Sequence, residues 1–167
     1  MLRVIRSMKE LPFGELMAVY AESNTEAGRQ RWPHETTDRS IALAEQDFYE
    51  YLRHGFFRMP GAVYCLWMEN EVCVSALRLE PWKDGMLLTG LETAPERRNR
   101  GYACALIRGV QVYLGRQGGV RLYSHIRKRN TPSIHTHEKC GFRKISDMAV
   151  YIDGSVDSQG STYLYEA

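Results

Sequence analysis

The sequence predicts a single α/β domain of the α+β kind over residues 1–167, with helices on both faces of a mixed, mostly antiparallel sheet. Three observations predict this class. The length of 167 residues suits one domain with a sizeable core. Runs with strand periodicity alternate with runs of helical periodicity along the chain. Several of the strand-like runs follow one another through short turns, which favours antiparallel pairing.

The first third of the chain predicts one strand and two helices. Residues 2–8 alternate loosely and indicate a short strand, and residues 12–23 begin with a proline that suits a first helical turn. The polar stretch 24–38 is expected to be an irregular loop. An amphipathic helix follows it, with Asp38 or Ser40 as the expected N-cap.

The middle of the chain changes to strand periodicity. Residues 61–70 and 71–80 predict a hairpin, and a third strand over 85–95 is bounded by a glycine and a proline. The next helix is expected to run to the glycine pair at 118–119. Residues 120–126 alternate cleanly and predict a strand.

The carboxy-terminal part adds one helix and a hairpin. Residues 131–142 have a proline in the first turn and a glycine at the expected end of a helix. Residues 142–154 and 161–167 are predicted to pair around a polar loop. The predicted order is therefore β-α-α-β-β-β-α-β-α-β-β.

Composition narrows the classes of function. A net charge of +2 does not favour a nucleic-acid partner. No apolar run approaches the roughly 20 residues of a membrane span, and the amino terminus lacks a signal-peptide core, so no membrane partner and a cytoplasmic location are expected. The cysteines form no C-x-x-C pair, so we expect free thiols and no metal site; they are Cys65, Cys73, Cys104 and Cys140.

The stretch ERRNRGYACA at 96–105 lies between a predicted strand and a predicted helix. Backbone N–H groups at a helix start have no intrahelical partner, and the helix dipole adds positive character there. Gly101 lets a bulky ligand approach the backbone, and the neighbouring arginines can bind phosphate. The stretch therefore predicts an anion site, with a plain charged helix start as the alternative.

Two motifs carry a resemblance to a known family. Residues 98–103, Arg-Asn-Arg-Gly-Tyr-Ala, are similar to the R/Q-x-x-G-x-G/A signature of the GNAT superfamily of acetyl-CoA-dependent N-acetyltransferases. Residues 130–142 resemble the later element N-x-x-A/S-x-x-x-Y-E-x-x-G-F of that family, with histidine at the tyrosine position. The order of the elements also resembles the GNAT fold.

The resemblance implies where acetyl-CoA would bind. A central parallel strand pair, here 86–93 and 120–126, would be splayed to admit it. Backbone at Leu91 and Thr93 would pair with the pantetheine arm, and Asn130 would lie beside the thiol end. The pyrophosphate would meet the helix start, at Arg98, Asn99, Arg100, Gly101, Tyr102 and Ala103.

Three side chains are candidates for the proton transfers. His137 occupies the position where the family usually has a tyrosine acid; the alternative is a buried histidine of the helix. His125 matches the position of a glutamate base in the branch that acetylates protein N-termini, and a histidine titrates in the useful range. Glu92 is the rival base, with a salt bridge to a nearby arginine as the alternative.

The predicted function is acetyl transfer from acetyl-CoA to a primary amine by direct attack in a ternary complex. A small-molecule or amino-acid-like acceptor is favoured over a peptide, because some members with histidine at this position acetylate such amines. Tyr20, Trp32 and His34 are candidate acceptor contacts. The alternatives are an acetyltransferase of protein N-termini and a non-catalytic acyl-CoA-binding regulatory module. Strands such as 161–166 leave a homodimer open.

Overall fold

The sheet of this protein has seven strands, and only one neighbouring pair in it is parallel. The computed structural model describes all residues, 1–167. The strand order is β1-β2-β3-β4-β5-β9-β6, and β7 and β8 form a separate two-stranded ribbon. The strands are β1 Leu2–Ile5, β2 Val63–Glu69, β3 Val72–Trp82, β4 Gly85–Thr93, β5 Arg121–Arg127, β6 Arg143–Ser146, β7 Ala149–Val150, β8 Val156–Asp157 and β9 Gly160–Glu166.

Five α-helices cover the two faces of the sheet. They are α1 Phe13–Val19, α2 Ala21–Arg31, α3 Thr37–His54, α4 Tyr102–Gly115 and α5 Thr131–Lys139. One buried cluster joins α1 and α3 to the sheet through residues such as Leu16, Leu52 and Tyr64. A second cluster joins α4 to the other face, where Leu106 and Ile107 meet Leu77, Leu79 and Leu122. The predicted layers and the predicted single α/β architecture are confirmed.

The parallel pair β4–β5 opens after three residue pairs. Its register is Met86 with Leu122, Leu87 with Tyr123 and Leu88 with Ser124. Beyond these pairs β4 continues only with β3, and β5 continues only with β9. The two halves of the sheet therefore part after Leu88 and Ser124, as the predicted splayed pair requires.

A bulge in β4 lies directly beyond this opening. Arg78 of β3 pairs with Thr89 and Ala76 pairs with Glu92, so Gly90 and Leu91 together face one residue of β3. Gly90 has a φ of 58°. This left-handed conformation suits glycine, and it marks the bulge as a built feature of the strand.

Three predictions of secondary structure are wrong. The expected loop 24–38 is mostly helix α2, which packs closely on α3: a Cβ at Gly28 would lie 2.7 Å from the Ser40 carbonyl. The N-cap of α3 is Thr36, whose side chain accepts from the Arg39 N–H, and neither Asp38 nor Ser40 has that position. Packing of one helix on the other stabilised a segment whose own pattern is polar.

The third error is the end of helix α4, which lies at Gly115, before the predicted glycine pair. The predicted pairing of residues 142–154 with 161–167 is confirmed, because β6 pairs with β9. β9 also pairs with β5, and part of the expected loop between the two runs belongs to the separate β7–β8 ribbon. No helix combines the length and apolar composition that crossing a bilayer requires.

Candidate functional site

The start of α4 presents a row of free backbone donors. Asn99 has a φ of 61° and Gly101, the N-cap of the helix, has a φ of 82°. The first backbone hydrogen bond of the turn is donated by Ala105 to the Gly101 carbonyl, and no N–H from 99 to 104 donates to a protein acceptor. Such a row, at the positive end of a helix dipole, fits a polyphosphate.

The arginines around this row have different partners. Arg97 binds Glu69 at 3.2 Å, and the same carboxylate accepts from the Tyr102 hydroxyl. Arg98 forms an ion pair with Glu22 of α2 at 2.6 Å. Arg100 is exposed and forms no ion pair within the protein. Arg100 is therefore free to meet a phosphate, whereas Arg98 would first have to leave Glu22.

Two buried tyrosines stabilise the bulge in β4 through a chain of hydrogen bonds. The Tyr20 hydroxyl donates to the Gly90 carbonyl at 2.5 Å, and the Tyr64 hydroxyl donates to the Tyr20 oxygen at 2.9 Å. Tyr20 is only 5% exposed, and burial raises the pKa of its phenol. Tyr20, predicted as an acceptor contact, therefore acts as a buried brace for the strand beside the opening.

Glu92 lies at the end of the bulge and is half-buried. Its carboxylate accepts from the Ser23 hydroxyl of α2. Burial raises the pKa of Glu92 and nearby Glu22 adds to this effect, while the Ser23 hydrogen bond, Arg98 and Arg78 oppose it. The predicted salt bridge to an arginine is not formed, because Arg98 pairs with Glu22. Glu92 therefore keeps proton-accepting capacity beside the opening.

His125 stands across the opening on β5. Its ring contacts the rings of Trp82 and Tyr151 edge-on, with centroids 5.1 and 5.2 Å away. Both ring nitrogens are buried without a hydrogen-bond partner. Burial lowers the pKa of His125, and the Lys83 charge lowers it further. The ring is neutral near pH 7 and retains an unused lone pair.

His137 lies on α5 and is 1% exposed. Its Nδ1 is 2.8 Å from the Ser133 carbonyl oxygen, and a carbonyl only accepts, so Nδ1 carries the proton. Burial lowers the pKa of this imidazole. The neutral ring therefore has a lone pair and no proton at Nε2, and this geometry disagrees with the predicted acid role.

The other predicted residues lie in three places. Leu91 and Thr93 are half-buried around Glu92, and the Thr93 hydroxyl is 3.0 Å from that of Ser75. The Asn130 side chain caps α5 by accepting from the Ser133 N–H at 3.2 Å. Trp32 lies against the guanidinium of Arg31, and His34 is exposed. No hydrogen bond or aromatic contact joins Trp32 or His34 to the opening.

The comparisons with known proteins agree with this geometry. The family model of the Acetyltransferase (GNAT) family matches residues 16–142. The chain belongs to the GNAT family of acetyltransferases. These enzymes are acyltransferases that use acetyl-CoA, so the predicted family and the predicted class of reaction are confirmed. No curated protein matches the sequence significantly.

Solved structures share the GNAT fold over the whole chain. The PaiA N-acetyltransferase from Thermoplasma acidophilum, in complex with coenzyme A, has a TM-score of 0.66 at 10% identity and covers 100% of this chain and 99% of its own. The ribosomal-protein-S18-alanine N-acetyltransferase from Escherichia coli has a TM-score of 0.61 at 15% identity, with 99% and 94% covered. An aminoglycoside 6'-acetyltransferase type Ii has a TM-score of 0.61 at 16% identity, with 99% and 94% covered.

The residues present in this GNAT protein fit acetyl-CoA as the co-substrate. Six consecutive free N–H groups and the exposed Arg100 suit the pyrophosphate. The opening between β4 and β5 leaves the backbone of Leu91–Thr93 without a partner strand on that side. No group of three or more His, Cys, Asp or Glu side chains lies close enough to hold a metal ion.

Sequence reasoning missed two side chains of β3 on the same face as Glu92. Arg78 and Glu80 are two residues apart, so they point to the same side of the strand. Glu80 is 8% exposed and accepts from the Thr89 hydroxyl at 3.1 Å. The available signal was the pair of charged residues at alternate positions of the apolar run VCVSALRLE. Charged side chains are rarely found in a buried strand unless they are paired or functional.

Proposed function

We propose that this GNAT protein transfers an acetyl group from acetyl-CoA to a small primary amine by direct attack in a ternary complex. One observation carries the proposal: the half-buried carboxylate of Glu92 directly follows the β4 bulge, in the strand that leads to the free amides of 99–104. Arg98 joins the two parts, because it donates to the Thr93 carbonyl and pairs with Glu22 beside Glu92. Arg98 thus links the free backbone donors to the segment of β4 that carries the proposed proton acceptor.

Acetyl-CoA supplies the thioester carbonyl when it is bound. Backbone N–H groups of 99–104 with Arg100 hold its phosphates, and the free edge of Leu91–Thr93 orients its arm. An amine must be neutral to attack a carbonyl, so the protein has to accept one proton from it. The new C–N bond replaces the thioester C–S bond, and CoA leaves as a thiolate that is protonated by water. Glu92 is suited to this step, since burial raises its pKa above that of an exposed glutamate.

His125 is the second candidate for the proton acceptor. Its two buried nitrogens have no partner, and its lowered pKa keeps the ring neutral near pH 7. It faces the opening from β5, whereas Glu92 faces it from β4. His137 supports positioning of α5 and not proton donation, because its proton is already given to the Ser133 carbonyl.

A small acceptor is favoured over a peptide for a structural reason. Side chains of α3 and the Tyr20–Tyr64 pair cover part of the face of the sheet that carries Glu92, and the Arg78 Nε atom is buried there. A small amine needs less open surface at this face than a peptide does. Family neighbours include an aminoglycoside acetyltransferase and a ribosomal-protein acetyltransferase, so the fold alone does not decide between the classes.

The test is an acceptor screen with acetyl-CoA. Release of the CoA thiol would be followed with small amines, amino acids and peptides with free N-termini, and products would be identified by mass. Acetylation of small amines with kcat/KM well above that for any peptide supports the proposal. Faster acetylation of peptides would replace it with a protein acetyltransferase. Acetyl-CoA binding without turnover of any amine would favour a regulatory acyl-CoA-binding module.

A further inference from the structure

Arg78 is a half-buried cation on the face of the sheet that carries Glu92. We call this the acceptor face, because the amine that accepts the acetyl group is proposed to bind there. It lies in the middle of β3, opposite Thr89. Its guanidinium carbon is 5.5 Å from the ring centre of Phe48 and 5.3 Å from that of Tyr51, both on α3. These two cation–π contacts hold the guanidinium against α3.

The guanidinium has no anionic partner in the protein. Arg78 takes part in none of the ion pairs and in none of the hydrogen bonds. Its Nε is fully buried without an acceptor, whereas its two terminal nitrogens are not fully buried. A largely buried arginine without an ion pair is unusual, because buried charges are normally paired.

The nearest acidic side chain is already engaged. Glu80 accepts from the Thr89 hydroxyl at 3.1 Å and from the Tyr51 hydroxyl at 3.5 Å, and it forms no ion pair with Arg78. Glu80 therefore lowers the local potential without occupying the fork of the guanidinium. The terminal nitrogens keep the two parallel donors that recognise a carboxylate.

The position of Arg78 ties it to the reacting end of the site. A Cβ at Gly90 would lie 3.0 Å from its Nη2 atom, so the guanidinium rests directly over the bulge. Glycine at this position leaves room for the arginine and also adopts the φ of 58° that the bulge requires. Glu92, the proposed proton acceptor, follows the bulge on the same face.

We propose that Arg78 binds a carboxylate of the acceptor, so that the acceptor class is a small primary amine that also carries a carboxylate, as in an amino acid. This inference rests on the proposed function. A carboxylate on the terminal nitrogens of Arg78 would hold the amine over the bulge, on the face of the sheet that carries Glu92. A phosphate is a poorer match, because its second negative charge would face both Glu80 and Glu92.

The test compares matched acceptors. Wild-type protein would be assayed with acetyl-CoA and each of the twenty amino acids, each paired with its own carboxamide, and with aminomethylphosphonate against glycine. We expect kcat/KM for the best amino acid to exceed that for its amide by roughly 50-fold or more, since the amide leaves the guanidinium unpaired. An amide that is as good as its acid, or a preferred phosphonate, would overturn the carboxylate assignment.

Variants of Arg78 separate recognition from a structural role. Arg78→Gln is expected to remove the preference for acid over amide, mainly through KM, and Arg78→Lys to leave an intermediate preference. Arg121→Gln is the matched control, because Arg121 is an exposed strand arginine paired with Asp84 and Glu166. An equal loss for acid and amide in Arg78→Gln would show that the arginine only braces α3 on the sheet.

Two further outcomes keep this inference separate from the proposed function. Acetylation of uncharged amines with no advantage for their carboxylated partners overturns the role of Arg78 and leaves the amine acetyltransferase standing. No acetylation of any amine, with acetyl-CoA still bound, overturns both. Circular dichroism melting reports folding of each variant, and if Arg78→Gln does not fold, Arg78→Lys decides by the same acid-to-amide ratio.

Discussion

The start of α4 and the acceptor face of the sheet both contain polar groups without a partner in the protein, but the two sets differ in their exposure to water. At the start of α4 the unpaired groups are the backbone N–H donors of 99–104, in residues that are exposed at 99–101 and half-buried at 102–104. On the acceptor face the unpaired buried groups are the Nε atom of Arg78 on β3 and, across the opening on β5, both ring nitrogens of His125. Leaving an exposed donor unpaired costs little, whereas leaving a buried one unpaired costs about 1–3 kcal/mol.

This difference indicates what each region does. A backbone site depends on conformation, so it accepts substitution of most side chains around it. A side-chain site depends on the identity of each residue. Burial makes each polar side chain selective for its ligand, and it also makes an unpaired polar side chain costly in folding free energy. Substitutions should therefore affect the start of α4 through the left-handed Gly101 and the acceptor face through single charged groups.

The largest expected effect is at Glu92. Glu92→Gln keeps the volume and the contact with Ser23 but removes the proton acceptor, so we expect kcat/KM to fall by about 10²–10⁴-fold. The Kd for acetyl-CoA, measured by calorimetry, should stay within about threefold of wild type. In wild type the rate should fall as pH falls through the raised pKa of Glu92, because the protonated carboxyl cannot accept a proton. A Glu92→Gln enzyme with that acidic limb intact would transfer the role to His125.

The next largest expected effect is at the start of α4. Gly101→Glu places a carboxylate at the free amides and strains a φ of 82°, so we expect acetyl-CoA to bind roughly 100-fold more weakly, or about 2.7 kcal/mol. Gly154→Glu is the matched control, because Gly154 has the same φ of 82° and equally open space around it. Both variants should lose about 1–2 kcal/mol of stability from the left-handed conformation. Equal acetyl-CoA affinity in the two variants would contradict a phosphate site at α4.

The two candidate histidines can be compared, because His125 has no hydrogen-bond partner and His137 has one. We expect His125→Phe to lower kcat/KM by roughly tenfold, because it removes an unpaired polar group that faces the opening. His137→Phe should change kcat by less than about threefold, since the His137 proton is already donated to the Ser133 carbonyl. Initial rates with the best acceptor would measure both. A larger loss in His137→Phe, at unchanged melting temperature, would restore the predicted acid role.

The brace under the bulge should have a smaller effect. Tyr20→Phe removes the hydroxyl that donates to the Gly90 carbonyl, and we expect a loss of about 1 kcal/mol in the free energy of unfolding. Urea unfolding would measure this loss. Tyr64→Phe, which removes the donor to Tyr20, should cost no more. An unchanged stability in Tyr20→Phe would mean that the bulge holds its shape without the tyrosine pair.

The smallest expected effect is a displacement of a pH profile. The Ser23 hydroxyl stabilises the charged form of Glu92, so Ser23→Ala should raise the Glu92 pKa and move the acidic limb of kcat/KM to higher pH. The plateau at high pH should stay close to the wild-type value. A limb that does not move, or moves to lower pH, would exclude Glu92 as the group that titrates.

The sequence predicted the parts of the site that depend on local pattern. The cradle at 98–103 combines a left-handed glycine, arginines and a helix start within a few residues, so its motif can be read directly. The alternating strands and the apolar helix stripes likewise predicted the order of most elements. Helix α2 was missed, because its polar sequence is stabilised by the close approach of Gly28 to α3.

The roles of the site side chains depended on which helices and strands pack against one another in the folded protein. Tyr20 is predicted to contact the acceptor, yet its hydroxyl reaches the Gly90 carbonyl, seventy residues away in the chain. Glu92 is predicted to be either a base or an ion-pair partner, and the ion pair forms between Arg98 and Glu22. These pairings join residues that are far apart in sequence, so no local pattern contains them.

The sequence by itself determined the fold class, the family and the backbone cradle at the start of α4. Each follows from periodicity or from a short motif, and both are set by neighbouring residues along the chain. Only the tertiary structure decided that Arg78 has no partner, that the Glu92 carboxylate is half-buried and that the His137 proton is in use. Burial and hydrogen bonding between distant segments set those properties, and a one-dimensional pattern does not record them.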